Sequence, residues 1–277
     1  MPRVCRQWRE GGASLTMETV ENNIQVVMAV GCHPDDIEFM MGGTLFRLRE
    51  RGLQLHYMNV ANGNCGTLEY GREEIEVIRR REAQQAAKKL GATWHPSIAN
   101  DLEVVYDIDL VKQVLSVMRR VKPDIVLVPA LHDYMEDHMN TARIAVTAAF
   151  TLAMPNFVSI PPEDTVVKET AVYHAMPYGL HDGLSRKVVP HFYVDVSASI
   201  DDKQEMLACH VSQRNWLDDS QKLDSYLQAM RDMGRQMGTD SGLFEFAEGW
   251  TRHNPLGYSS PSYTPLESVL ADEITFV

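Results

Sequence analysis

The run Ile24–Gly31 (IQVVMAVG) is short, apolar and rich in valine, and it leads straight into Cys32-His33-Pro34-Asp35-Asp36-Ile37-Glu38. Such a run reads as a strand buried on both faces, the habit of a central strand in a parallel sheet. One histidine and three carboxylates then crowd His33–Glu38. Adjacent carboxylates repel unless a cation or an acid/base task offsets the repulsion. In open α/β sheets, ligands bind beyond the carboxyl ends of the strands, where the strand order reverses. The position therefore reads as functional before any motif is considered.

The pattern that follows supports the same architecture. Gly42-Gly43-Thr44 is expected to open a helix running to about Arg51, ended by Gly52. Leu53–Val60 reads as a strand, Glu73–Leu90 as a helix stopped by Gly91, and Leu110–Val121 as an amphipathic helix. Asp124–Pro129 (DIVLVP) is another buried strand, and a helix is expected from His138 to about Ala153. This alternation predicts an α/β fold: a Rossmann-like, doubly wound, mostly parallel sheet flanked by helices. The C-terminal half is less regular. Strands are expected at Thr170–Ala175 and His191–Val196, and helices at Ser199–Gln213 and Asp218–Met237.

A chain of 277 residues with 44% hydrophobic content can bury one sizeable core. Its net charge of −12 argues against nucleic acid and anionic membranes as partners, since both require a basic face. Cys5, Cys32, Cys65 and Cys209 form no C-x-x-C pair, so neither a disulfide framework nor a thiolate zinc knuckle is expected. That cysteine usage gives the expectation of a reducing, cytoplasmic compartment, and no apolar run is long enough to predict a transmembrane helix. Residues 1–20 are expected to form a flexible arm; the alternative is upstream sequence before a second start at Met17.

Leu131–Thr141 (LHDYMEDHMNT) is a second polar cluster, and it also follows a buried strand. Two such clusters can face each other across the switch point and together supply His, Asp and His ligands. A catalytic zinc takes three protein ligands of this kind and keeps a place for water.

At these residues the chain resembles the LmbE/PIG-L family of zinc-dependent N-acetylglucosaminyl deacetylases. The family's first motif stands here as His33-Pro34-Asp35-Asp36-Ile37-Glu38 with Gly42-Gly43-Thr44, and its second ends here in Asp137-His138. Ile78–Gly91 (IRRREAQQAAKKLG) and Tyr193–Gln213 resemble later family segments, so the likeness spans about residues 24–215. The resemblance implies that His33, Asp36 and His138 hold Zn2+, or another divalent ion, and that Asp35 is the general base. It makes Arg79 a candidate substrate contact; Asp137, His132 and His210 are further candidates. Many members carry a histidine three residues before the ligand histidine. Here that place holds Met135, which cannot donate a proton, leaving His132, Tyr134, His181 or His210 to supply the function.

The implied activity is removal of an N-acyl group, acetyl being the expected one, from an amino-sugar-like small molecule. Two alternatives stay open: a metal- or sugar-binding protein with weakened catalysis, and an amidase acting on thiol conjugates. The Met residues at Met40, Met41, Met135 and Met139 are read as an apolar wall or as core. Residues 21–258 are expected to form the single hydrolytic domain and 259–277 a tail, whose apolar Ile274–Val277 is a candidate for packing on a second copy in a homo-oligomer.

Overall fold

The computed structural model describes residues 24–213 and 226–277. The expected arm at residues 1–20, Met17, and the first residues of the expected helix Asp218–Met237 lie outside them. Eight strands form one sheet in the order β3-β2-β1-β4-β5-β7-β6-β8. They are β1 (Val26–Gly31), β2 (Gln54–Asn59), β3 (Thr93–His95), β4 (Ile125–Val128), β5 (Ala171–Ala175), β6 (Phe192–Asp195), β7 (Ala247–Arg252) and β8 (Ile274–Phe276). The first five run parallel. β7 pairs antiparallel with both β5 and β6, and β8 pairs antiparallel with β6.

The alternation of side chains along each strand divides the core in two. Val27, Ala29, Tyr57, Leu127 and Tyr173 point to one face, where α1 (Asp36–Glu50), α2 (Arg72–Leu90), α5 (Ile200–Leu207) and α6 (Tyr226–Ser241) lie. Met28, Val30, Met58, Val126, Val128 and Val172 point to the other, under α3 (Ile108–Val121) and α4 (Glu136–Phe150). Since successive residues of β1 and β4 are buried on opposite faces, their sequences are continuous apolar runs rather than alternating ones.

Helix ends follow local chemistry. Asp107 caps α3 by accepting from the backbone N–H groups of Asp109 and Leu110, and Val111, Val114, Leu115 and Met118 then face the core at helical spacing. Gly91 closes α2 in the left-handed region at φ 76°.

Two expectations need correction. The first helix begins at Asp36, so Gly42 and Gly43 lie inside it rather than at its start. Their role is close approach: a Cβ at Gly43 would sit 2.6 Å from Val196, and one at Gly42 would sit 3.2 Å from Lys203 of α5. The carboxylate of Glu248 on β7 reaches the same spot, accepts from the N–H groups of Gly43 and Thr44 at 2.8 Å each, and pairs with Lys203 Nζ at 2.6 Å. The second correction concerns Ser199–Gln213. The regular helix stops at Leu207, and His210 sits past its end.

Strands β3, β7 and β8 carried no clear sequence signal. Ile274–Phe276, expected as a docking tail, pairs with this chain's own β6 as an edge strand.

Candidate active site

Strands β1 and β4 are neighbours, and their connections leave to opposite faces: β1 into α1, β4 into α4. A crevice must open between two such connections. Both polar clusters line it.

The first cluster is a tight turn. The backbone N–H groups of Cys32 and His33 donate to Asp36 Oδ2 at 3.0 and 2.7 Å. Asn59 at the end of β2 donates to the carbonyl of His33 at 2.6 Å. Asp35 sits at φ 123°, ψ −24°, a region that L side chains rarely occupy. Such strain persists where the surroundings over-determine it, typically at functional sites.

The second cluster meets the first through its histidine. His138 Nε2 lies 3.4 Å from Asp36 Oδ1, and His33 Nδ1 lies 3.7 Å from Asp36 Oδ2. The two rings are 5.3 Å apart between centroids. Each ring's other nitrogen rests on a carboxylate: Asp133 Oδ1 at 3.1 Å for His138 Nδ1, and Asp137 Oδ2 at 3.1 Å for His33 Nε2. Metal-ligating histidines are commonly oriented in this way, which fixes the tautomer and raises ligand basicity. The set of two imidazoles and one carboxylate, turned toward one another at the cavity wall, fits a divalent cation of zinc type.

Cys32, His33 and Asp36 also bring ligand atoms within 4.8 Å of one another. Cys32 is the weaker third donor. Its Sγ lies 3.7 Å from His33 Nε2, the nitrogen that Asp137 already holds, and it is not part of the cavity wall. Burial pushes its thiol up to about 11, so it stays protonated near neutral pH.

The neighbouring carboxylates have opposite electrostatic environments. Burial works against ionising both. At Asp36, His138 and His33 outweigh it and hold the carboxyl well below the usual range. At Asp35, burial wins over the pull of Arg79, and the carboxyl is pushed up to about 6. Two carboxyls whose acidities are driven apart are a signature of divided roles.

The cavity is about 330 Å³. Asp35 lies between its two walls: Tyr226 donates to Asp35 Oδ2 at 2.5 Å, and Arg79 Nη2 lies 3.6 Å from Asp35 Oδ1. Arg79 is buried and lines the cavity, so it is no solvated helix face. It donates to the carbonyl of Pro34 at 2.6 Å and crosses over Gly63, where a Cβ would meet its Cδ at 2.5 Å.

Three other candidates need relocation. Asp137 stands behind His33, with its carboxylate taken by that ring and by the N–H of Leu102. His132 is exposed and off the cavity wall. His210 is fully buried behind α1, 2.8 Å from Glu38, which also accepts from Tyr57. None of the three lines the cavity, because each is held by a different neighbour or faces solvent. His181, with Nδ1 turned to the carbonyl of Gly179, is also off the wall. Of the residues considered for the place of Met135, Tyr134 alone lines the cavity.

Reading the sequence did not assign roles to Tyr226, Asp101, Gln213 or Asp133. Asp133 lay within the second cluster and could have been singled out by its distance from His138. Tyr226 sits in an ordinary helix with no local signal.

Residues 28–149 match the PIG-L family, described as GlcNAc-PI de-N-acetylase. A diacetylchitobiose deacetylase of Thermococcus kodakarensis is 25% identical over 199 residues, covering 69% of this chain and 71% of that protein. A 4-oxalmesaconate hydratase of Pseudomonas putida is 26% identical over 219 residues, covering 76% and 79%. The solved N,N'-diacetylchitobiose deacetylase of Pyrococcus horikoshii superposes with a TM-score of 0.66 at 22% identity, covering 88% of this chain and 89% of that one; it shares the fold.

Proposed function

This chain carries a PIG-L (LmbE-like) family domain, and from that premise we propose that it is a metal-dependent deacylase, a hydrolase that removes an N-acyl group such as acetyl from an amino-sugar-like small molecule. The observation that carries the proposal is the arrangement of His33, Asp36 and His138, each ring backed by its own carboxylate, with Asp35 beside them on the cavity wall.

His33, Asp36 and His138 would hold the cation, for which zinc is the expected identity. A divalent ion there supplies Lewis acidity to the water and the amide carbonyl that meet at the site. Asp35 takes a proton from the attacking water and returns it to the departing amine, so one amide and one water become one amine and one carboxylate. Tyr226 holds Asp35 Oδ2, which leaves Oδ1 for the proton. The Tyr134 ring stands edge-on to His138 at 5.6 Å. Although the residue is more than half exposed, partial desolvation of its hydroxyl and the nearby carboxylates of Asp36, Asp133 and Asp35 raise its phenol above the ordinary value, so it keeps its proton and can donate to the oxyanion that develops on the carbonyl oxygen.

The hydratase relative supports a second reading, addition of water to an unsaturated polycarboxylate. The cavity fits this less well. Among the described lining residues stand the carboxylates of Asp35, Asp36, Asp101 and Asp133 against one guanidinium, Arg79, and like charge disfavours a polyanionic substrate.

The test is metal content of the purified protein and of His33→Ala, with amine release from N-acetylglucosamine-type compounds. About one metal per chain, lost in the variant together with amine release, is expected. A protein that binds no metal and releases no amine when zinc is supplied would end the hydrolase reading. Loss of an enedioate chromophore instead would move the assignment to hydration.

A further inference from the structure

The cavity has two unlike walls, and they meet at Asp35. On one side stand Arg79, Asp101, Gln213 and the backbone at Gly66. Among the described residues Gln213 Oε1 is buried without a partner, and a Cβ at Gly66 would lie 3.1 Å from it and 2.8 Å from Arg79 Nη1. A free buried acceptor beside a guanidinium suits hydroxyl groups.

On the other side the rings form an unbroken collar. From His138 it passes to Tyr134 (5.6 Å between centroids), Tyr178 (6.0 Å), Phe39 (5.1 Å) and Tyr226 (5.6 Å), and the Tyr226 hydroxyl returns to Asp35. Met40, Met41, Met135 and Met176 also line the cavity. Unbranched thioether side chains adapt to apolar groups of variable shape. An acetyl group brings one methyl to such a wall, far less than it can cover.

We infer that the acyl pocket is built for a chain longer than acetyl, so the preferred substrate is an amino-sugar-like compound carrying an N-acyl chain of several carbons. The inference rests on the deacylase reading above. Because Asp35 touches both walls, the scissile amide lies at their junction, with the hydroxyl-bearing amine on the Arg79–Gln213 side and the acyl carbons against the collar. Met135 belongs to this arrangement: where a polar side chain would meet the acyl group, it offers an apolar one.

The experiment compares N-acetyl-, N-butyryl- and N-hexanoyl-glucosamine as substrates of the zinc-supplemented full chain, with octyl N-acetylglucosaminide as a separate arm. Binding of the same compounds to Asp35→Asn is measured by calorimetry. Burial of each further methylene should raise kcat/KM about fourfold, so butyryl, two methylenes longer, should exceed acetyl by about sixteenfold, with affinity for the variant rising in parallel. Met135→Gln should shrink that ratio toward one. Acetyl cleaved as well as or better than butyryl would overturn the inference and leave the deacylase reading standing. A gain from the octyl aglycone without a gain from acyl length would place the apolar group at the other end of the substrate, and would overturn it too. No amine from any member of the series would remove the deacylase reading and this inference with it.

Discussion

The Tyr226 hydroxyl donates to Asp35 Oδ2 at 2.5 Å, joining residues 191 positions apart in the chain. Both groups are buried, and Asp35 is held in a strained backbone conformation by a turn that Arg79 also braces through the carbonyl of Pro34. A carboxyl held at Oδ2 on a braced turn presents Oδ1 to the proton in one geometry. Tyr226→Phe should therefore lower kcat about tenfold, the scale of one hydrogen bond to a charged group, while KM for an acetylated amino sugar changes little. Steady-state kinetics separates the two. A rise in KM at constant kcat would make Tyr226 a substrate contact instead.

Asp133 stands behind His138 as Asp137 stands behind His33. Removing such a partner frees the ring to rotate and lowers its basicity. Asp133→Ala is expected to weaken zinc binding about 10–100-fold, read by competition with a chromophoric chelator. Unchanged affinity would mean that the Asp133 contact does not orient a ligand.

The pair Lys203–Glu248 is buried at both ends, and Glu248 also holds two backbone N–H groups of α1. Lys203→Met leaves that carboxylate without its cation. The expected loss is about 3–5 kcal/mol in urea unfolding, since an unpaired buried charge is costly. Lys203→Met combined with Glu248→Gln should recover part of it. A loss within experimental error in the single variant would show that the backbone donors alone satisfy Glu248.

His174 gives a pH dependence separate from the active-site acids. Its Nδ1 donates to the carbonyl of Pro129 at 2.9 Å, and its Nε2 shares a 2.9 Å hydrogen bond with His253 Nδ1, with no carboxylate among the described residues against either nitrogen to favour the charged ring. Burial pushes this imidazole down to about 4. An unfolded histidine titrates near ~6.5. Below that pH the unfolded chain gains a proton that the folded chain refuses. The stability contribution is thus full above pH ~6.5 and declines by about 3 kcal/mol as the pH falls toward ~4. Urea midpoints between pH 7 and pH 4 should fall more steeply for the unmodified protein than for His174→Gln; parallel slopes would count against this assignment.

Much of the site was legible because its chemistry is concentrated in two short segments. His33, Asp35 and Asp36 follow β1, and His138 follows β4; an apolar run ending in acids announces both a buried strand and a site at its end. The helix boundary at Gly42 was misplaced because glycine pairs usually mark helix ends, and the partners that require them, Val196 and Lys203, are distant in sequence. Strands β3, β7 and β8 left no clear trace in the sequence: β7 (AEGWTR) and β8 (ITF) draw their identity from neighbours rather than from an apolar pattern.

The sequence alone determined the parallel α/β core, the two polar loops that meet at the cavity and the candidate cation ligands within them, since each of these is a local property: burial periodicity, capping, and donor type within a few positions. Only the tertiary structure decided which side chains stand behind the candidate ligands, that Tyr226 meets Asp35, that His132 and His210 stay away from the cavity, and that a run of aromatic rings lines one side of it. Those are contacts between elements far apart in the chain, set by how helices pack across the sheet, and no local pattern encodes them.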